Sequence, residues 1–188
     1  MADNAARLKI AAAIAIGLAI PAEGLRQVAY RDPPGILTVC YGSTRNVDPA
    51  RTYSLAECRA RLDADMRVAI EAVERCAPGL PEPVLAAFGD AVYNLGPGIV
   101  CDRAKSTAAR LLAAGDVEAA CRELPKWNKA RVGGVMVSLP GLSKRRAAEM
   151  AVCLEGLPPR PITPSPPSTR LRTGPAPLPS RERGGGAP

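Results

Sequence analysis

The stretch 23-EGLRQVAYRDPPGILTVCYGST-44 decides how this chain is read. Val28 to Tyr30 and Ile36 to Tyr41 are short apolar runs rich in β-branched and aromatic residues, and Pro33-Pro34-Gly35 lies between them. That pattern predicts a small β-hairpin. Asp32 ends the first strand and Thr38 lies on the second, so the hairpin folds the two towards each other. Glu23 precedes the helix-ending Gly24 and stands beside the hairpin base. One local unit thus brings two acids and a hydroxyl to the edges of one groove.

Downstream the period changes from two to between three and four. Ser54-Leu55-Ala56-Glu57 is a capping-box signature. It opens a helix with apolar positions Leu55, Cys58, Leu62, Met66, Ile70 and Val73, ending before Ala77-Pro78-Gly79. A second helix runs from about Pro81 to Leu95, with Val84, Leu85, Phe88, Val92 and Leu95 as its stripe and Gly96-Pro97 as its stop. Ser106 caps a third to Ala114, and Asp116 caps a fourth from Val117 to about Leu124. Residues 132–142, VGGVMVSLPGL, read as loop, and Ser143 caps a last helix to about Leu154. The expected fold is α+β, mainly α: a small hairpin lobe on a helical lobe, with no internal repeat. Trp127, the only tryptophan, is expected in the core.

The two ends differ from this body. Ten of the residues from Pro158 to Pro188 are proline, and apolar periodicity is absent, so this segment is expected as a disordered tail. Its five arginines against one glutamate carry more than half of the net +7. The body is therefore near neutral and poor in aromatics, which argues against a nucleic-acid groove. At the other end, IAAAIAIGLAIP follows Arg7 and Lys9 and shows no polar face. Residues 1–22 are expected to form a weakly hydrophobic, uncleaved export anchor, near the lower length limit for a membrane span. Residues 23–157 form the domain between. The chain contains no histidine and no CxxC, which argues against a zinc site. Six cysteines, Cys40, Cys58, Cys76, Cys101, Cys121 and Cys153, point to disulfides and an oxidising compartment, but spacing selects no connectivity.

Two carboxylates flanking a groove suit hydrolysis of a glycosidic bond. A carboxylic acid protonates the leaving oxygen while a carboxylate on the opposite face activates water, and a gap of about 6.5–9.5 Å leaves room for that water. The acid needs an apolar setting to keep its proton near neutrality. A threonine hydroxyl can hold the same water. Spacing alone favours the plainer reading, in which Glu23 caps or solvates a helix end and Asp32 stabilises the turn.

The residues themselves shift that balance. Glu23-Gly24, Ala29-Tyr30, Asp32, Gly35, Thr38 and Tyr41-Gly42 stand in register with the bacteriophage-type lysozymes, glycoside hydrolase family 24, which the chain resembles. The resemblance continues through AFGDAVYNLGPG (87–98), KSTAARLLAAGD (105–116), KWNKAR (126–131) and LPGLSKRRAAE (139–149), and covers roughly residues 23–155. It implies a lysozyme-like fold with the cleft between the lobes. It further implies cleavage of the β-1,4 bond between N-acetylmuramic acid and N-acetylglucosamine of peptidoglycan, with inversion and without metal or organic cofactor. Glu23 would be the general acid, Asp32 the base or electrostatic partner, and Thr38 the water-holding hydroxyl. Gly42, Ser43, Tyr93 and Asn94 fall where the family lines its sugar subsites. Arg146 or Arg145 would support Glu23 by pairing with it. Ser43 departs from the histidine usual after Tyr-Gly, which is expected to alter affinity and leave the chemistry intact.

The same resemblance implies Cys40–Cys58 and Cys121–Cys153 bridges, pairs that occur in relatives, with Cys76 left to Cys101. It also likens residues 5–22 to the signal-arrest-release segments of exported endolysins. The chain would then be a monomer delivered to the host periplasm, first tethered to the inner membrane and inactive there. Other readings are a catalytically silent peptidoglycan-binding protein on the same scaffold, favoured only by Ser43 and the tail, and a lytic transglycosylase, against which Asp32 and Thr38 both argue.

Overall fold

The computed structural model describes residues 2–32 and 35–159. The architecture turns on one helix, Glu82–Leu95, in which every residue from Val84 to Val92 is buried. In chain order it is α3, after α1 (Ala2–Ala22) and α2 (Leu55–Cys76) and before α4 (Gly98–Cys101), α5 (Thr107–Ala113), α6 (Val117–Glu123) and α7 (Pro140–Glu155). Helices α1, α2 and α7 all pack on α3. The small residues Ala86, Ala87, Gly89 and Ala91 make room for them. A Cβ built on Gly89 would lie 2.3 Å from Ile70 Cδ1 of α2 and 3.9 Å from Ala15 Cβ of α1. Glycine at this position lets both neighbours close on the central helix.

Helix α1 is where the sequence said least about packing. No polar face exists between Ile10 and Ile20, yet the helix has an inner side. Ala11, Ala12, Ala15 and Ala19 are buried, while Ile10 and Ile20 are largely exposed. Small side chains at helical spacing let α1 approach the core closely. The larger apolar residues are left partly outside. By length and composition this helix can also cross a membrane.

The first hairpin is as expected. β1 (Arg26–Arg31) pairs antiparallel with β2 (Leu37–Cys40), with Tyr30 opposite Thr38 and a register irregularity nearer Arg26. Gln27 fastens it to the following loop: its carbonyl accepts from the Tyr53 amide and its side chain donates to the Tyr53 carbonyl, each at 2.8 Å. The capping box holds too, with Ser54 accepting from the Glu57 amide and the Glu57 carboxylate accepting from the Ser54 amide. Ser106 and Asp116 cap α5 and α6 through their side chains.

Residues 132–142 are not a loop. β3 (Lys129–Val132) and β4 (Val135–Ser138) form a second antiparallel hairpin, closed by Gly133 and Gly134 at φ +56° and +87°. Two glycines with positive φ make the tight turn whose twist matches the strands. Helix α7 starts at Pro140, so Ser143 lies inside its first turn instead of capping it. The Ser143 amide donates to the Leu139 carbonyl and its hydroxyl accepts from Asn128. Short helix α4 was not foreseen.

Three disulfides join Cys40–Cys58, Cys76–Cys101 and Cys121–Cys153. They tie β2 to α2, α2 to α4 and α6 to α7. Trp127 packs against the core as expected. The compact unit extends to Pro158. The tail expected from Pro158 onward lies, from residue 160, outside the described residues. The architecture is α+β and mainly α.

Candidate active site

Glu23 follows directly on α1, its amide donating to the Ala19 carbonyl at 2.9 Å. The last turn of α1 therefore sets its position. The side chain is a quarter exposed, and one oxygen receives Arg145 Nη1 at 2.5 Å. The arginine in contact is Arg145 and not Arg146, which corrects the expectation that Arg146 supports the acid. Arg146 does not meet Glu23 and donates instead to Glu149 at 2.5 Å and to Asn94 Oδ1 at 3.2 Å. Successive residues on a helix diverge by about 100°, so only one of the two arginines points at Glu23, although both reach Glu149 one turn further along α7.

Arg145 is itself held. Asp90, fully buried in α3, accepts from its Nε at 2.9 Å and from its Nη2 at 2.7 Å. Burial alone would lower the Arg145 guanidinium, but the bonds and charges of Asp90 and Glu23 outweigh it and hold the value above the ordinary range. Glu149 lies 3.6 Å from Arg145 Nε. Two guanidiniums thus meet three carboxylates, Glu23, Asp90 and Glu149, in a nearly dry setting. Burial, reinforced by Asp90, pushes the Glu149 carboxyl well above the usual carboxylate range. Retaining a proton there evens the charge count, since unpaired buried charge is costly.

Asp32 stands at the mouth of the hairpin turn, where its Oδ1 accepts from the Ile36 amide at 2.7 Å. The plainer reading is therefore also true: one oxygen of Asp32 stabilises the turn. Asp32 pairs through its backbone with Ile36, and Tyr30 opposes Thr38. Residues paired across strands and alternating along them share a face, so Asp32 and Thr38 lie on the same side of the hairpin. Thr38 is buried and donates to the Ile36 carbonyl at 3.1 Å.

Gly42 completes the approach to Glu23. It has φ +97°, and a Cβ there would stand 3.5 Å from the Tyr93 hydroxyl and 3.8 Å from Glu23 Oε2. Tyr93 donates to the Tyr41 carbonyl, and burial, then the charge of Glu23, raises its phenol so that it stays protonated. Gly42 and Tyr93 line a groove of about 470 Å³ together with Thr44, Arg45, Asp65 and Val68. Ser43 lines an adjoining groove of about 560 Å³. Ser43 is only 4% exposed, and its hydroxyl lies 3.4 Å from Arg61 Nη1. Asn94 lines neither groove and instead accepts from Arg146.

Sequence reasoning missed Asp90, Glu149 and Arg61. Asp90 carried a signal: an aspartate within the apolar run AAFGDAV must be buried with the helix, and a buried carboxylate requires a cation. Among the described residues no cluster of three acidic, cysteine or histidine side chains is arranged to hold a metal ion.

The family profile Phage lysozyme matches residues 21–149. The SAR-endolysin of Bacteriophage PS119 is 39% identical over 136 residues, covering 71% of this chain and 77% of that protein. Among solved structures, the muramidase domain of SpmX from Asticaccaulis excentricus superposes with a TM-score of 0.67 at 26% identity, over 74% of this chain and 94% of that one. The endolysin from Escherichia coli O157:H7 phage FAHEc1 gives 0.64 at 26%, over 81% and 94%.

Proposed function

The chain belongs to the phage lysozyme family, and from that premise we propose that it is an endolysin, a muramidase that hydrolyses the β-1,4 bond between N-acetylmuramic acid and N-acetylglucosamine in peptidoglycan. The observation that carries this is Glu23 held by Arg145 beside Gly42, a groove residue that leaves the second oxygen of Glu23 uncrowded. Glu23 protonates the leaving glycosidic oxygen. Asp32, on the hairpin face it shares with Thr38, assists attack by water from the other side. Thr38 holds that water through its hydroxyl oxygen. Gly42 and Tyr93 contact the sugars from the groove floor. Ser43, turned towards Arg61, shapes the adjoining groove more than it touches glycan.

Mass analysis of muropeptides released by the oxidised protein tests this reading. Hydrolysed reducing ends are expected, and Glu23→Gln is expected to slow their release by about 100-fold or more, the usual share of a general acid. Anhydro-muropeptides would mean a transglycosylase. Binding to peptidoglycan with no new reducing ends would mean a silent binding protein.

Export follows from α1. The helix holds the chain in the inner membrane until it leaves the bilayer and packs on α3. Because the Glu23 amide is bonded to Ala19, Glu23 reaches Arg145 only when α1 has docked. Membrane-held protein is therefore expected to be inactive and released protein active. Equal rates of peptidoglycan cleavage by the two forms would refute this coupling.

A further inference from the structure

The second hairpin plays no part in the site described above, yet its surface is unusual. Across its register Ala130 faces Val137 and Val132 faces Val135, while Lys129 faces Ser138 and Arg131 faces Met136. Opposed residues share a face. One face is therefore wholly apolar, and the other carries two cations. A two-stranded sheet normally buries its apolar face, but Val132, Val135 and Val137 are 54%, 65% and 41% exposed, and Met136 is 54% exposed. From Leu124 to Ala148 the sequence contains no acidic residue. Lys129, Arg131 and Lys144 are all exposed in that interval.

We propose that this hairpin, with its valine face and its Lys129–Arg131 face, docks the enzyme on an anionic phospholipid surface. Valines enter the headgroup boundary, and the cations reach lipid phosphates from the opposite face. Other occupants fit less well. Glycan is polar, and the hairpin has no aromatic ring on which a sugar could stack. A second copy meeting the valine face would cover only a patch of a few small side chains, far below the roughly 1,200–2,000 Å² of a stable interface. The inference stands apart from the roles proposed for Glu23, Asp32 and Thr38.

Co-sedimentation of the released, oxidised full-length protein with vesicles provides the test. One set contains phosphatidylethanolamine and phosphatidylglycerol, the other phosphatidylethanolamine and phosphatidylcholine. Two variants accompany the wild type: Val132→Ser/Val135→Ser/Val137→Ser and Lys129→Glu/Arg131→Glu. The wild type is expected to bind the anionic vesicles roughly tenfold more tightly, and both variants to lose that preference. Turnover on soluble muropeptide oligomers should be the same for all three proteins, which separates this result from the chemistry of the cleft. Helix α1 is identical in every sample. Equal binding by wild type and variants would assign the contact to α1 and overturn the proposal, as would absence of binding by the wild type. A wild-type dimer in sedimentation velocity that the serine variant dissociates would make the face a self-interface and overturn it too.

Discussion

Asp90 governs the geometry of Glu23 through Arg145. Its two oxygens fix Arg145 Nε and Nη2, leaving Nη1 aimed at the acid. Asp90→Asn keeps the shape but loses one acceptor and the charge. We expect turnover to fall on the order of 10- to 100-fold, with KM little changed, as a small misplacement of the acid would cause. Steady-state kinetics on soluble glycan check this. For Glu149 the question is protonation. Its carboxyl is raised in the folded state, so the folded protein binds that proton more tightly than the unfolded chain does. The stabilisation is then full below the ordinary glutamate range and declines as pH rises through it towards the folded value. Glu149→Gln should flatten that decline in urea titrations run across pH, at little cost near neutrality. A loss of about 3–5 kcal/mol instead would show an ionised partner of Arg146. Glu23, Asp32 and Thr38 were legible as a motif. The choice between Arg145 and Arg146 was not, because both lie in one run of sequence and only the docked angle of α7 separates them.

At the scale of elements, local rules served where the signals were local. Ser54 with Glu57 marked the start of α2, and the reciprocal bonds are present. Ser54→Ala should lower unfolding free energy by about 1 kcal/mol, read from urea denaturation. The second hairpin was equally local, since Gly133-Gly134 between β-branched residues is a two-residue turn signal. It was passed over because its strands are only four residues each, and in the second, Val135-Met136-Val137-Ser138, three apolar residues run together without alternation. Without the hairpin, Ser143 looked like a cap. With it, the chain arrives at Pro140 already turned into the helix.

At the scale of the whole unit, the bridges and α1 decide how the parts meet. Cys40–Cys58 fastens the hairpin bearing Thr38 to α2. Replacing both cysteines by serine should cost about 2–4 kcal/mol of stability in urea titrations. It should also reduce turnover, whereas Cys121→Ser/Cys153→Ser should lower stability with less effect on rate. The sequence by itself determined the hairpin, the helical body, the motif of Glu23, Asp32 and Thr38 and the apolar first helix, because each rests on neighbours within a few residues or on a motif in register. Only the tertiary structure decided that α1 packs through its alanines, that Arg145 and not Arg146 meets Glu23, and that Asp90 anchors it. Those contacts join residues far apart in the chain, such as Glu23 and Arg145, and their partners are selected by helix packing and by the need to pair buried charge.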